Sequence, residues 1–496
     1  MDLLRTRNDL IVDAKNNPVR LRGFGVGGWM NTENFINGYP GFESGLRRAL
    51  AETIGPARAE FLFDRMLDHF LAEEDIAAMK ALGATVVRLP LNYRHFETDM
   101  EPFKYLEKGF ARLDRVLGWC AKHGLYAILD LHAVQGWQDP DWHSDSFGRL
   151  TLLWHQKHFQ DRFTALWEEF ARRYKGNSVI AGYNVINEPV TGVPCGFFGY
   201  PYKTNWDVLN QVYRRVVLAI RKVDPDHIIF LEGDLFSVLF SGLEPPFADN
   251  LVYSSHNYLR PCLEAGPYPG RFSTGEWDAE RMKTDFTEQE GTQFCRKHNV
   301  PLWVGEFGGA FDGPAGDVPH RLRATEDQIQ VFEDNRAHWT IWTWKDVGMM
   351  GMVTVDPESE YLKTVAEVQK AKRALATDCW ILNQPKTAAQ ARVAELGDLI
   401  LKTLPDTGAD PERFKFYLEQ ASLGNYTGAF MQPIWARCFQ GMTESNIDRV
   451  MQSFALKNCR ISQELKSILR KHTEPKLQAQ TQAQSPGGPG DRRPEN

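Results

Sequence analysis

Charge of one sign, long apolar runs and clustered cysteines are all scarce in this sequence. Its 64 acidic and 57 basic residues give a net charge of only -7, which argues against a nucleic-acid or anionic-membrane partner. No stretch approaches the roughly 18 apolar residues of a membrane span, and the first residues lack the apolar segment of a signal peptide. We therefore expect a cytoplasmic protein. The alternative is a secreted protein whose signal has been removed.

The seven cysteines are scattered, and none has the CxxC or Cys/His spacing of a metal site. An odd number of dispersed cysteines is typical of reduced residues in a core. The 496 residues, of which 43% are hydrophobic and 24% charged, have an ordinary globular composition. The chain is long enough for one barrel domain of about 250 to 400 residues and an appendage.

Short runs rich in Val, Ile and Leu alternate with longer amphipathic segments. This pattern is typical of a parallel sheet built from strand-helix units. The runs predict eight strands, at 19–25, 85–91, 125–132, 180–188, 227–233, 251–258, 301–307 and 339–345. Helical apolar spacing lies between several of them, at 75–83, 110–124, 163–176 and 208–224. The predicted fold class is α/β, a (β/α)8 TIM barrel.

The two ends of the chain differ from this pattern. Asn16, Asn17 and Pro18 lie between two apolar runs and predict a hairpin beneath the barrel. Past about residue 375 only helical patterns remain, and the final Gln-, Pro- and Gly-rich stretch cannot bury enough surface to order itself. We predict a barrel domain at 1–375, a helical C-terminal region at 376–472 and a disordered tail at 473–496.

Two glutamates follow apolar runs directly. Glu188 ends the run IAGYNVINE, and Glu306 lies in VPLWVGEFGG. Glu is a poor strand former and its charge is costly to bury, so its place at the mouth of a buried strand indicates a function. Two carboxylates that face one cavity are the minimum equipment for hydrolysing a glycosidic bond.

Other polar and aromatic side chains recur at the ends of the predicted strands, where (β/α)8 barrels carry their catalytic groups. They are Arg88, Asp130, His132, Asn187, His256, Tyr258, Trp342 and Trp344. Each alone is as readily a packed or paired core residue. Together, at the same end of several strands, they predict a single site.

These motifs resemble those of glycoside hydrolase family 5, the cellulase family in a large clan of retaining (β/α)8 glycosidases. The resemblance runs over residues 8–375 and rests on RLP (88–90), DLH (130–132), NEP (187–189), HNY (256–258), GEFG (305–308) and the last-strand Trp. It implies that Glu188 is the acid/base and Glu306 the nucleophile, and that no metal or organic cofactor is needed. The implied surrounding residues are Arg88, His132, Asn187, His256, Tyr258 and Trp342, with Trp344 as the alternative platform for the sugar.

A retaining enzyme needs its carboxyls about 5 to 5.5 Å apart, with one protonated and one ionised. Arg88 and Tyr258 are suited to holding Glu306 ionised, because donors to a carboxylate lower its pKa. We expect the charge of Glu306 to raise the pKa of Glu188 until the glycosyl-enzyme forms. Asn187 is placed to bind the sugar 2-hydroxyl.

Three long loops, at 136–149, 190–206 and 259–282, are rich in aromatic and turn residues. They either pack onto the barrel or wall in a substrate pocket. Candidate pocket residues are Trp137, Trp142, His143, Asp145, Phe197, Phe198, Tyr200, Tyr202 and Trp277.

The sequence therefore predicts a retaining, exo-acting β-glycosidase that cleaves short β-glucosides or glycoconjugates. The alternatives are an endo-β-glucanase acting on polysaccharide and a non-catalytic carbohydrate-binding barrel. The C-terminal helices either cover the cleft or mediate self-association, and the oligomeric state stays open.

Overall fold

Eight parallel strands close into a barrel in the computed structural model of the protein, which describes residues 1–192, 201–378 and 382–473. The strands are β1 (Arg22–Gly25), β2 (Val86–Asn92), β3 (Tyr126–Ala133), β4 (Ile180–Asn184), β5 (Ile228–Glu232), β6 (Leu251–His256), β7 (Leu302–Phe307) and β8 (His338–Ile341). Each strand pairs with its neighbours in sequence, and β8 pairs with β1. The predicted (β/α)8 fold class is confirmed.

Strand ends are the main difference from the sequence prediction. β4 ends at Asn184 instead of residue 188, and β8 ends at Ile341 instead of residue 345. Glu188 has a left-handed backbone conformation with a φ of 49°, and its N–H donates to the Glu232 carboxylate at 2.8 Å. The Glu232 side chain thus accepts the N–H of Glu188, which in a continued strand would bond to the backbone of the neighbouring strand.

Helices cover the outside of the barrel. The helix Glu107–His123 buries Phe110, Leu113 and Val116 and ends at Gly124, whose φ of 64° supplies the left-handed C-cap. The helices between β1 and the end of the barrel domain are Asn34–Asn37, Glu43–Ile54, Pro56–Phe70, Glu73–Ala81, Glu107–His123, Lys157–Tyr174, Trp206–Val223, Asp234–Ser237, Arg260–Leu263, Ala279–Glu288, Glu290–His298, Val318–Asp334, Glu360–Thr364 and Ala366–Leu375. None of the helices in the described ranges is long and apolar enough to cross a membrane.

A hairpin of Arg5–Arg7 and Leu10–Val12 lies at the opposite end of the barrel from the strand ends that carry Glu188 and Glu306. Leu4 and Ile11 pack there in a separate apolar cluster with inward-facing residues such as Trp303. Val12 bridges to Pro18 across the turn that contains Asn16. The other short strands are Glu97–Thr98, Glu101–Tyr105, Gly270–Phe272, Gly275–Trp277, Lys345–Asp346, Val353–Val355 and Cys459–Ile461.

The C-terminal region packs directly on the barrel. Its helices are Ala388–Thr403, Pro411–Glu419, the π-helix Gln420–Thr427, Gly428–Arg437, Glu444–Met451 and Gln463–Thr473. Helix Gly428–Arg437 contacts Glu43–Ile54, and Glu444–Met451 contacts Pro56–Phe70. Strand Cys459–Ile461 pairs with Val353–Val355. Thr473, the first residue of the predicted tail, ends helix Gln463–Thr473, and the rest of the predicted tail, 474–496, lies outside the described residues.

Candidate active site

A cavity of about 420 Å³ lies where the C-terminal ends of the barrel strands meet. The sequence-predicted residues that line it are His132, Trp142, His143, Glu188, Tyr258, Glu306 and Trp342. Three further predicted residues, Arg88, Asn187 and His256, are buried and contact the lining residues from behind. The loops and strand ends therefore bring both glutamates to one pocket.

Glu188 and Glu306 form a close pair. One carboxylate oxygen of each, together with a ring nitrogen of His256, lie within 4.8 Å of one another. This separation suits a retaining pair and is shorter than the ≈ 6.5–9.5 Å of inverting enzymes. Protein donors already occupy these carboxylates, so we assign the cluster to acid-base chemistry and not to metal binding.

Glu306 is held by two donors. The Arg88 guanidinium donates to its Oε1, and the Tyr258 hydroxyl donates to its Oε2 at 2.8 Å. Burial alone would lower the pKa of Arg88, but the carboxylates of Asp130, Glu306 and Glu232 raise this pKa above its ordinary value. Arg88 is therefore a permanent cation that donates a charge-assisted hydrogen bond to Glu306.

Glu188 lies between two histidines. His256 Nδ1 is 2.6 Å from Oε1, and His143 Nε2 is 3.0 Å from Oε2. Burial raises the pKa of Glu188, but the two histidines outweigh it and hold that pKa below its ordinary value. Burial likewise lowers the pKa of His256, whereas the charges of Glu232, Glu306 and Glu188 raise it to about 10.

The expectation that Glu188 has a raised pKa is therefore wrong. The two histidines contact Glu188 directly, and their positive charge dominates. Strongly interacting groups titrate as one unit, so we assign the proton that a glycosidase must deliver to Glu188 and the two histidines together.

Glu232, at the end of β5, positions this assembly and was missed in the sequence. Its Oε2 accepts the backbone N–H of Glu188 at 2.8 Å and the Ser237 hydroxyl. Burial opposes its ionisation, but His256, Arg88 and Ser237 lower its pKa to about 2. The sequence did contain a signal for Glu232, because a Glu stands near the end of the predicted strand 227–233.

Glu33 is a second missed residue, on the loop after β1. Trp142 Nε1 donates to its Oε2 at 3.0 Å, while its Oε1 is buried without a hydrogen-bond partner among the described residues. Burial raises its pKa to about 8.

Nearby, His132 stacks on Trp342 with the ring centroids 5.3 Å apart, and Asn187 Oδ1 accepts from Arg88 at 2.6 Å.

Three more of the predicted substrate-binding residues are also absent from the pocket lining, and their contacts lie elsewhere. Trp344 packs edge-on against Phe24 and donates to Asp75 at 2.8 Å, so of the two tryptophans it is Trp342 that lines the pocket. The Asp145 carboxylate is occupied by the Ser44 hydroxyl at 2.8 Å and by Arg94. Trp137 lies in a tight turn, with its N–H bonded to Val134, and does not reach the cavity.

The remaining loop candidates also differ from the prediction. Tyr202 donates to Asp234, and Trp277 donates to Thr274; neither lines the pocket. Phe197, Phe198 and Tyr200 lie outside the described residues.

Other pocket residues come from positions that the sequence did not single out. Leu382, Phe416, Tyr417 and Gln420 belong to the C-terminal region, which thus covers one side of the pocket. The rest are Phe35, Asp141, Phe236, Arg260 and Leu263.

Phe236 sits in a left-handed turn whose residues Leu235, Phe236 and Ser237 have φ values of 50°, 58° and 64°. Each such residue costs roughly 1–2 kcal/mol, so the turn is a strained feature at the site.

A barrel that holds two carboxylates at this spacing, one beside Arg and Tyr and the other between histidines, defines a glycoside hydrolase. The family model described as Cellulase (glycosyl hydrolase family 5) matches residues 62–348. The chain belongs to glycoside hydrolase family 5, which confirms the resemblance seen in the sequence, and it is a glycosidase that cleaves O-glycosidic bonds.

Curated relatives differ widely in similarity. A "Beta-xylosidase" of Phanerodontia chrysosporium is 37% identical over 92% of this chain and 96% of its own length. A "Probable glucan 1,3-beta-glucosidase A" of Emericella nidulans is 25% identical over 67% of this chain and 87% of its own length. "Endoglucanase C" of Acetivibrio thermocellus is 24% identical over 56% of this chain and 85% of its own length.

Proposed function

We propose that this protein is a retaining, exo-acting β-glycosidase that releases a terminal β-linked xylose. The observation that carries the proposal is the Glu188–Glu306 pair, whose oxygens lie within 4.8 Å in a single pocket. The extensive similarity to a fungal β-xylosidase, which includes the C-terminal region, supports xylose as the sugar.

In the first step Glu306 attacks the anomeric carbon while Glu188 passes a proton to the leaving oxygen. Arg88 and Tyr258 donate to the two oxygens of Glu306 and orient its carboxylate toward that carbon. The new ester bond removes the charge of Glu306. In the second step Glu188 takes a proton from water, which attacks the same carbon and releases the sugar with retained configuration.

The residues that wall the pocket support exo action. The loop after β3 supplies Trp142 and His143, and the C-terminal region supplies Phe416 and Tyr417 on another side. A pocket walled in this way accepts a chain end more readily than the middle of a polymer.

A β-glucoside is the second candidate substrate, in agreement with the expectation from the sequence. The similarity to a probable glucan 1,3-β-glucosidase supports it. The two sugars differ by one hydroxymethyl group, so the ratio of kcat/KM for the xyloside and the glucoside measures which of them the pocket prefers.

The test is hydrolysis of 4-nitrophenyl β-glycosides by the wild type and by Glu306→Gly and Glu188→Gly with added azide. We expect cleavage of the xyloside or the glucoside. Azide should convert the substrate to the inverted α-glycosyl azide with Glu306→Gly and to the retained β-glycosyl azide with Glu188→Gly. Glu276→Gly, at a solvent-exposed glutamate that does not line the pocket, is the matched control and should keep wild-type activity.

Two outcomes would contradict this assignment. Exchanged azide products would reverse the roles of the two glutamates. A ladder of product lengths from polysaccharide at the earliest times, without free monosaccharide, would establish the endo-acting alternative.

A further inference from the structure

Six apolar side chains from widely separated parts of the chain line the pocket. They are Phe35, Phe236, Leu263, Leu382, Phe416 and Tyr417. The polar residues Glu33, His132, Glu188 and Glu306 line the same cavity. The hydroxyls of one sugar need the polar residues, so the apolar side chains face a different part of the substrate.

Phe236 lies beside Glu188. Its backbone N–H donates to the carbonyl of Pro189, the residue after Glu188, at 3.3 Å. Its ring centroid is 6.3 Å from that of His143, and His143 Nε2 is 3.0 Å from the Glu188 carboxylate. Glu188 protonates the glycosidic oxygen, so this side of the pocket receives the leaving group.

The strained turn fixes Phe236 in this place. The Ser237 hydroxyl donates to Glu232, and Asp234 accepts the Thr191 N–H at 3.0 Å and the Tyr202 hydroxyl at 2.5 Å. Strained backbone conformations of non-glycine residues persist only where the surroundings fix them, and they cluster at ligand clamps.

The C-terminal aromatics are tied to the loop that carries His143. Arg149 donates to Asp141 at 2.9 Å and lies over the Tyr417 ring, 5.7 Å from its centroid. The Phe416 and Tyr417 centroids are 5.3 Å apart. This pair therefore faces the same part of the pocket as Asp141.

The polar side chains that line the pocket beside these aromatic rings already have partners within the protein. Arg149 donates to both Asp141 and Gln420, and Arg260 pairs with Glu264 at 3.6 Å. Few hydrogen-bonding groups are therefore left here for the hydroxyls of a second sugar.

We propose that this apolar surface is a leaving-group subsite and that the physiological substrate is a β-glycoside of a hydrophobic alcohol or phenol, not an oligosaccharide. The inference rests on the proposed exo-β-glycosidase function. Phe236, Phe416 and Tyr417 are the specificity-determining residues of the subsite.

The test uses methyl, butyl and octyl β-glycosides of one sugar. This sugar is the one that the wild type prefers among the 4-nitrophenyl β-glycosides. Kinetic constants are measured for the wild type, Phe236→Leu and Phe416→Ala. Each buried methylene should raise kcat/KM by about three- to fourfold, mainly through a lower KM. In Phe416→Ala the octyl-to-methyl ratio of kcat/KM should fall at least about tenfold. Phe430→Ala, at a 73% exposed Phe of the same region that does not line the pocket, should keep the wild-type ratio.

The result that would overturn the proposal is a flat alkyl series in the wild type together with faster cleavage of the corresponding disaccharide. An unchanged octyl-to-methyl ratio in both Phe236→Leu and Phe416→Ala would also overturn it. Failure of the proposed exo-β-glycosidase function would be distinguishable from this result, because no glycoside would then be cleaved, whatever its leaving group.

Discussion

Burial turns Glu33 into a hydrogen-bond donor at neutral pH. Its pKa is raised to about 8, mainly by desolvation and further by the charges of Glu306 and Glu188. The neutral carboxyl can accept from Trp142 through one oxygen and donate to a sugar hydroxyl through the other. Above its pKa it becomes a further carboxylate in the pocket and loses the donor.

We predict that Glu33→Gln removes an alkaline rise in KM. In the wild type the binding-competent protonated form of Glu33 is present below about pH 8 and is lost as the pH rises through that value. The KM of the wild type should therefore increase above pH 8, whereas Gln, which donates at every pH, should give a flat KM. The measurement is KM against pH with an uncharged aryl glycoside, at pH values where the free enzyme stays folded.

Glu33→Ala is the companion variant, because it lacks a donor at all pH values and should have a raised KM throughout. An identical alkaline rise in KM in the wild type and in Glu33→Gln would assign the rise to another group and contradict the prediction.

At the scale of elements, the sequence predicted whatever depends on local pattern. The apolar runs located all eight strands, and strand-end positions identified Arg88, His132, Asn187 and Tyr258 as residues that meet around the two glutamates. The proximity of these side chains follows from the barrel, because the carboxyl ends of its parallel strands meet at one edge.

The failures occurred where regular structure stops. Alternation predicted that Trp342 and Trp344 share a face, but β8 ends at Ile341, so the two-residue period does not extend to them. Glu33 lies eight residues beyond the end of β1. Phe416 and Tyr417 reach the pocket through the packing of the C-terminal region, which no local pattern encodes.

The helices Glu43–Ile54 and Gly428–Arg437 illustrate this packing and allow a prediction. Gln432, which is buried, donates to the carbonyls of Phe42 at 2.7 Å and Pro40 at 3.1 Å. We predict that Gln432→Leu lowers the free energy of unfolding by about 1–3 kcal/mol, because a buried carbonyl loses its donor. Chemical denaturation measures this change.

The matched control is Gln440→Leu, at an exposed position shortly after the same helix. It should change the free energy of unfolding by less than about 0.5 kcal/mol. Equal effects of the two substitutions would show that the contact of Gln432 with the barrel contributes nothing to stability.

At the scale of the whole molecule, the barrel and the C-terminal region share one hydrophobic core. Trp435, Phe439 and Phe454 belong to the same buried cluster as the barrel residues Phe24 and Leu89. Lys345, just after β8, is fully buried and donates to the carbonyls of Phe70 and Phe454. A barrel without this region would expose apolar side chains and leave the Lys345 charge with fewer partners.

We therefore predict that the barrel and the C-terminal region unfold in one cooperative transition, and that Trp435→Ala destabilises both. Trp435 is 1% exposed and packs on Phe439 and Tyr361, so its truncation should cost about 3–5 kcal/mol. Loss of activity, far-ultraviolet circular dichroism and the calorimetric transition should all shift together to lower temperature. Phe430→Ala, at the 73% exposed position, should leave the transition in place. Two separate transitions, with the loss of activity unmoved by Trp435→Ala, would instead establish the C-terminal region as an independent domain.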